Sequence, residues 1–332
     1  MNKTDVIQPQ SGAGVQVLNP KFLLSIYGII PVILLFMLGD YLLFDLGISK
    51  SLPSDPESTG WLNMLFMLPH VIASVFTFMD REYIAAYSTR LAVSSSAIAG
   101  LIFIVPLAMG VAATVLVLAL YTAYHQIAQQ TGIASMIARN KSAMHMAWKW
   151  MGFVILAMVF FLALLADNPY IQAFAIQNPV FRMVSAVFVL AFVVVGVITA
   201  RQSKTRIGVA FVGVNTLMLI FHCLLFIFGF NFFMILIPRI VHDVTAFAFY
   251  VSHNKNRNQG VQHNVMARLF SKIPLPEYIV TPAAALLASV AMTTFLPQGI
   301  LLFSLLFLAF FHYYWEGVMW KNGSPHRKNI YV

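Results

Sequence analysis

Residues 91–134, a run of more than 40, contain no Asp, Glu, Lys or Arg. The run is too apolar for a water-facing surface. It is also too long for one membrane crossing, since a helix crosses the hydrocarbon in about 20 residues. The whole chain has the same character. Of its 332 residues, 60% are hydrophobic and 9% are charged, whereas a soluble domain carries roughly 25% charged residues. Two soluble domains, the number this length suggests at roughly 150 residues each, are excluded. The sequence reads as an all-α, polytopic membrane helical bundle whose first partner is the lipid bilayer. Its one cysteine, Cys223, excludes a disulfide framework or a cysteine-based metal site and reads as core.

The apolar pattern predicts ten spans: 22–46, 60–79, 91–109, 111–134, 147–166, 180–200, 207–228, 229–252, 277–296 and 299–320. Breaks fall at Gly110, at Gly229 and at Pro297. A single transmembrane domain, 21–321, lies between polar tails 1–20 and 322–332. Segments 167–178 and 258–271 read as short interfacial stretches. Ten spans put both tails on one side, together with 17 of the 20 Lys and Arg. The other side keeps Lys50 and Arg182, and Arg239 lies within a span. Basic residues accumulate in cytoplasmic loops, so both termini are expected in the cytoplasm of a cell (cytoplasmic or inner) membrane. The net charge of +9 then records topology, not a nucleic-acid partner. The first 20 residues lack an apolar core or cleavage site, so they read as a tail and not a signal peptide.

Ionisable residues inside hydrocarbon cost several kcal/mol unless they pair or bind something, so each is a functional candidate. Spans two, four, eight and ten run in the same direction. They carry His70, His125, His242 and His312 at positions 11, 15, 14 and 14 from the outer edge. At about 1.5 Å per residue, the four lie within roughly 6 Å in depth. Polar neighbours accompany them. Gln129 and Glu316 follow His125 and His312 by four residues, on the same helix faces. Asp243 adjoins His242, with Arg239 one turn earlier. Asp80 closes the second span, and Tyr124, Tyr313 and Tyr314 flank the histidines. Pro69 and Pro238 are expected to kink their helices, which at membrane depth suits a buried or cavity-lining backbone.

Imidazoles with carboxylates suit non-haem iron, with copper, zinc or haem as alternatives. No H-E-x-x-H pattern supports zinc proteolysis. The leading expectation is an oxidoreductase with mono- or dinuclear Fe2+, consuming O2 and a lipid-soluble substrate (an isoprenoid such as a carotenoid, or a fatty acyl chain). His70, His125, His242 and His312 would be the ligands. Glu316 would be a ligand or general base. Asp243 and Gln129 would orient imidazole N–H groups, as outer partners commonly do. The alternative is a proton-coupled transporter or channel using Asp80, Asp243, His253 and Glu316, with Arg239 meeting an anionic substrate. The chain lacks the matching halves common in transporters. A haem or quinone electron carrier is a third reading. Simple packing of hydrogen-bonded histidines is the plainest one. His222 reads as packing, and His253, roughly 16 Å below His242, as part of a proton path. His145, His263 and His326 read as solvated loop residues, and Arg239 as the partner of Asp243.

At Leu68-Pro69-His70, with Asp80 ten residues on, and at the single histidines His125, His242 and His312, the chain resembles the Brp/Blh family of membrane β-carotene dioxygenases. The resemblance covers fragments of four spans. It implies an all-helical membrane oxygenase whose non-haem iron is held by histidines, with a carotenoid substrate. The His125-x-x-x-Gln129-x-x-Gly132 and His312-Tyr313-x-x-Glu316 elements and the count of ten spans depart from that family.

Overall fold

The computed structural model describes residues 15–53, 60–165, 170, 173–259 and 263–332. Residues 1–14 of the N-terminal tail, 54–59 between the first two spans, 166 at the end of the fifth expected span, 167–169 and 171–172 of the first interfacial stretch, and 260–262 of the second lie outside it. Among the described residues the long helices, in chain order, are α1 (Pro20–Phe44), α2 (Leu68–Thr77), α3 (Arg81–Met109), α4 (Val111–Ala138) and α5 (Ala143–Leu164). They continue with α6 (Pro179–Arg201), α7 (Arg206–Ile227), α8 (Asn231–Arg257), α9 (Glu277–Phe295) and α10 (Gln298–Met319). The only β contacts described are two isolated bridges, Val17 with Tyr331 and Asp80 with Asn264. Eight of these helices (α1, α3 and α5 to α10) are long and apolar enough to cross a membrane. The protein is an all-α, multi-pass membrane bundle.

The helix boundaries have local causes. Side chains of Asn19, Asp80, Ser142, Asn178 and Thr205 accept from first-turn N–H groups of α1, α3, α5, α6 and α7. Such caps satisfy donors that the helix cannot. Gly110 (φ 83°) and Gly229 (φ 77°) take positive φ at the two expected breaks, where a side chain is strained. Pro297 precedes α10.

The largest departure from the expected boundaries is at the start of α3. Helix α3 starts at Arg81, ten residues before the expected span. Asp80 caps it, and its polar first turns extend the helix beyond the apolar segment. The chain also turns sharply after α1. Asp40 accepts from the Ile48 and Ser49 N–H groups at 3.1 and 2.6 Å, while Asp45 and Leu46 adopt positive φ. In the second interfacial stretch a short helix, Val265–Phe270, is capped by Asn264. Asn264 also donates to the Phe76 carbonyl at 2.7 Å.

Helices α2, α8, α4 and α10 form a closed ring in which each packs on the next. Helices α5 and α7 pack outside α4, with α6 against both. Helix α3 covers α4 and α10, and α9 covers α2 and α8. The two ends of the described chain meet at the foot of α8. The Leu18 N–H donates to the Tyr331 carbonyl at 2.8 Å, and Asn256 Nδ2 donates to the carbonyls of Gln16 and Asn329.

The closest interhelical approach at a glycine is between α7 and α4. A Cβ on Gly208 would lie 2.4 Å from Ala138 Cα. Gly208→Ala therefore overpacks the contact and is expected to lower the thermal midpoint in detergent, at a cost of about 1–3 kcal/mol. Gly100→Ala, with open space around it, serves as the control and should change stability by less than about 0.5 kcal/mol.

Candidate metal centre

The ring of four helices brings His70 (α2), His125 (α4), His242 (α8) and His312 (α10) to one point. One ligand nitrogen from each lies within 4.8 Å of the other three, and all four side chains are buried. His70 meets His242 and His312 edge to face, with ring centroids 4.8 and 4.4 Å apart. His125 meets the same two rings at 4.9 Å each. Nε2 of His125 and Nε2 of His312 are 3.2 Å apart. Pro69 sits in the first turn of α2, after a π-helical turn at Asn63–Met67. Pro69 therefore lies within a continuous helical stretch, Met64–Thr77, at the junction of its π-helical and α-helical parts. Pro238 lies inside α8, one turn before His242.

The surroundings fix part of the proton arrangement. Ser74 Oγ donates to the Val71 carbonyl at 2.6 Å, so its oxygen accepts from His312 Nδ1–H at 2.9 Å. A neutral imidazole carries one N–H, which leaves His312 Nε2 bare and facing the other rings. Glu316 accepts from the Tyr250 hydroxyl, and its second oxygen lies 3.4 Å from His125 Nε2. Asp243 Oδ1 lies 3.0 Å from His70 Nδ1, but off the line of a hydrogen bond. Both Asp243 oxygens, both ring nitrogens of His70 and Nδ1 of His242 lack a hydrogen-bond partner in the protein. A buried polar group left unpaired costs about 1–3 kcal/mol. Among these atoms, the Asp243 carboxylate and one nitrogen of His70, together with the bare Nε2 of His312, form a set of lone pairs and negative charge that a cation would satisfy. The two carboxylates match the charge of a divalent ion. Four imidazoles with carboxylate neighbours suit a first-row transition metal.

The other expected residues divide. Tyr313 belongs to the site, with its ring stacked on His125 at 4.5 Å and its hydroxyl 2.9 Å from Thr122 Oγ1. Gln129 reaches α8, but it donates to the His242 backbone carbonyl at 3.2 Å and not to an imidazole. Tyr124 turns away onto α5, against Lys149, Trp150 and Phe153. Asp80 is a structural clamp that caps α3 and pairs with Arg257 Nε at 2.8 Å. The Asp243 carboxylate approaches His70. Two residues of the site were missed in the sequence, Ser74 and Tyr250. Each had a signal: Ser74 lies four residues after His70, and Tyr250 seven after Asp243, both on the same helix faces.

Two histidines expected to be solvated need correction. His145 is buried in the first turn of α5, its Nε2 3.1 Å from the Thr131 carbonyl. His326 is fully buried because the chain after α10 folds back over the bundle. Its ring stacks on Tyr83 at 3.8 Å and on His253 at 5.0 Å, with Nδ1 3.3 Å from the Tyr87 hydroxyl. His253 Nε2 is 3.0 Å from the Tyr83 hydroxyl. These two rings form a second cluster apart from the four-His point. His263, by contrast, is partly exposed beside Glu82.

No protein family, no curated protein and no solved structure matches this chain at a significant level.

Burial, with the charges of His253 and Arg257 nearby, pushes the His326 imidazole down to about 2. An unfolded histidine titrates near 6.5. Below that pH the released ring binds a proton that the docked ring does not, so docking weakens as pH falls. The tail is expected to become progressively more sensitive to protease as pH falls below about 6.5, and His326→Phe should flatten this dependence. An equally steep profile in that variant would assign the effect to another group.

Proposed function

We propose that the protein is a membrane-embedded oxidoreductase with a histidine-held non-haem iron centre acting on a lipid-soluble substrate. The observation that carries this reading is the convergence of four buried imidazoles, with two carboxylates, on one point. His70, His125, His242 and His312 would hold the metal, and such iron supplies O2 activation when bound. The remaining roles belong to the chain. Ser74 keeps the His312 proton on the outward nitrogen. Glu316, between Tyr250 and His125, can hold or pass a proton at Oε2, the oxygen that faces His125. Tyr313 walls the His125 side, and the ring of helices excludes bulk water. A haem would need its wide macrocycle to pass between two of these imidazoles, where the other two rings pack edge to face. Asp80 is committed to Arg257, which argues against the carboxylate path of a transporter.

The substrate class has its own support. A groove of about 680 Å3 opens between α3, α4 and α10, lined by Ala97, Leu101, Val117, Tyr121 and Phe310, with Arg90 at one end. Its volume matches small-molecule sites, which run to about 300–1,000 Å3. Tyr121 meets Tyr313 edge to face at 5.5 Å, and Tyr313 stacks on His125. One aromatic layer therefore separates the groove from the centre. Ten crossings would comprise the eight apolar helices together with α4 and the segment ending in α2. The meeting of Leu18 with Tyr331 supports an even count, and the basic loops support cytoplasmic ends. Likeness to the Brp/Blh dioxygenases rests on the same histidines, and a carotenoid is one candidate substrate.

Purified protein from metal-replete cells should retain about one or two equivalents of iron, copper or zinc per chain. His125→Ala or His312→Ala should lose it while keeping wild-type helicity. A wild-type protein that holds only traces would overturn the metal reading. Separately, a long-chain fatty acid carrying a mid-chain diazirine should label residues near Ala97 and Phe310. Ala97→Trp, which fills the groove, should suppress that labelling without changing metal content. Uniform labelling around the bundle would place the substrate elsewhere.

A further inference from the structure

His222, on α7, is fully buried and has no part in the four-His set. Its Nδ1 lies 2.7 Å from the Met218 carbonyl one turn earlier. A carbonyl only accepts, so Nδ1 carries the proton of this neutral ring, and Nε2 is a bare acceptor. The other carbonyl beside the ring, that of Met234, cannot donate to Nε2 either. Nε2 has no hydrogen-bond partner in the protein.

His222 lines a small internal cavity together with Gln126, Gln130, Pro238 and His242. The cavity offers about 10 Å3 to the centre of a water-sized sphere, room for one water. Three more polar atoms of lining residues are buried and unpartnered: Gln126 Oε1, one end of the Gln130 amide, and His242 Nδ1. The Gln130 orientation follows from its neighbours. Tyr27 Oη lies 2.5 Å from the Gln130 amide and 2.8 Å from Asn215 Oδ1. Asn215 Nδ2 donates to the Phe211 carbonyl at 2.8 Å, which fixes that amide. The one Tyr27 proton therefore goes to Asn215, and Gln130 turns its NH2 to the phenol oxygen. An amide is assigned by such bookkeeping. Gln130 then presents Oε1 to the cavity.

Two fixed acceptors, His222 Nε2 and Gln130 Oε1, match the two protons of a water. Its lone pairs match His242 Nδ1–H and the Gln126 amide, which can turn its NH2 inward. A buried water typically makes two to four such bonds. We propose that the cavity between α4, α7 and α8 is a single-water site, and that His222 is a positioning residue acting through it. The water accepts from His242 Nδ1–H and so holds the His242 proton on the outward nitrogen. His242 Nε2 is then bare toward the other three imidazoles, as Ser74 makes His312. The water site stands on its own, whereas its effect on metal affinity rests on the proposed metal centre.

Two measurements test this. A high-resolution structure of the metal-free protein should contain an ordered water about 2.7–3.2 Å from both His222 Nε2 and His242 Nδ1. A dry cavity, or a water touching only one of them, overturns the site. Iron or zinc affinity in His222→Leu should fall about 10- to 100-fold, the usual cost of losing an outer partner. His222→Gln, which restores an acceptor, should recover most of it. Equal affinity in the Leu variant overturns the positioning role. If the Leu variant fails to fold, Gln130→Leu makes the same comparison. A wild-type protein that binds no metal defeats the metal reading and leaves the water to be decided by the structure.

Discussion

Bringing four imidazoles and two carboxylates out of water into a helical bundle is the constraint on which the rest of the molecule depends. Unpaired charge in a low-dielectric interior costs many kcal/mol, and α2, α4, α8 and α10 each contribute part of that cost. The bundle contains it by closing those four helices on one another and covering them with the apolar surfaces of the rest. Ser74, Tyr250 and the backbone satisfy what they can. One ligand nitrogen from each of the four histidines faces a common point, where a single cation would engage them together.

That arrangement explains the different fates of polar residues that look alike in the sequence. Asp80 follows the helix that carries His70, and Asp243 follows His242 within its helix. Asp80 lies at a helix start beside Arg257 and becomes a clamp, while Asp243 lies one position from His242 and faces the centre. His253 and His326 pair with tyrosines in a cluster of their own, under the folded-back tail. His222 stands between these cases, outside the metal set but within reach of it through one cavity.

Much of the architecture was legible because it follows from period and composition. Glycine breaks at Gly110 and Gly229 and the equal depth of four histidines on parallel helices need only helical rise and span direction. Partners across helices were not legible. Nothing in the local sequence of His326 says that the tail returns to stack it on Tyr83, and nothing near Tyr124 says that its ring turns to Lys149. The start of α3 was missed because hydropathy marks where lipid begins, whereas Asp80 marks where the helix begins. Ser74 and Tyr250 were within reach, since helical spacing already put them on the faces of His70 and Asp243. They were passed over because hydroxyl groups stand out less in an apolar helix than charges do.

The contact between Ser74 and His312 joins residues 238 positions apart in the chain. It has a consequence for the order of events during synthesis. Helices α2, α4 and α8 emerge first and can associate, but they offer three imidazoles around an open side. Only when α10 docks does the ring close and the fourth nitrogen arrive with its proton already directed outward. The complete set of four imidazoles therefore exists only once the last helix of the bundle has been made.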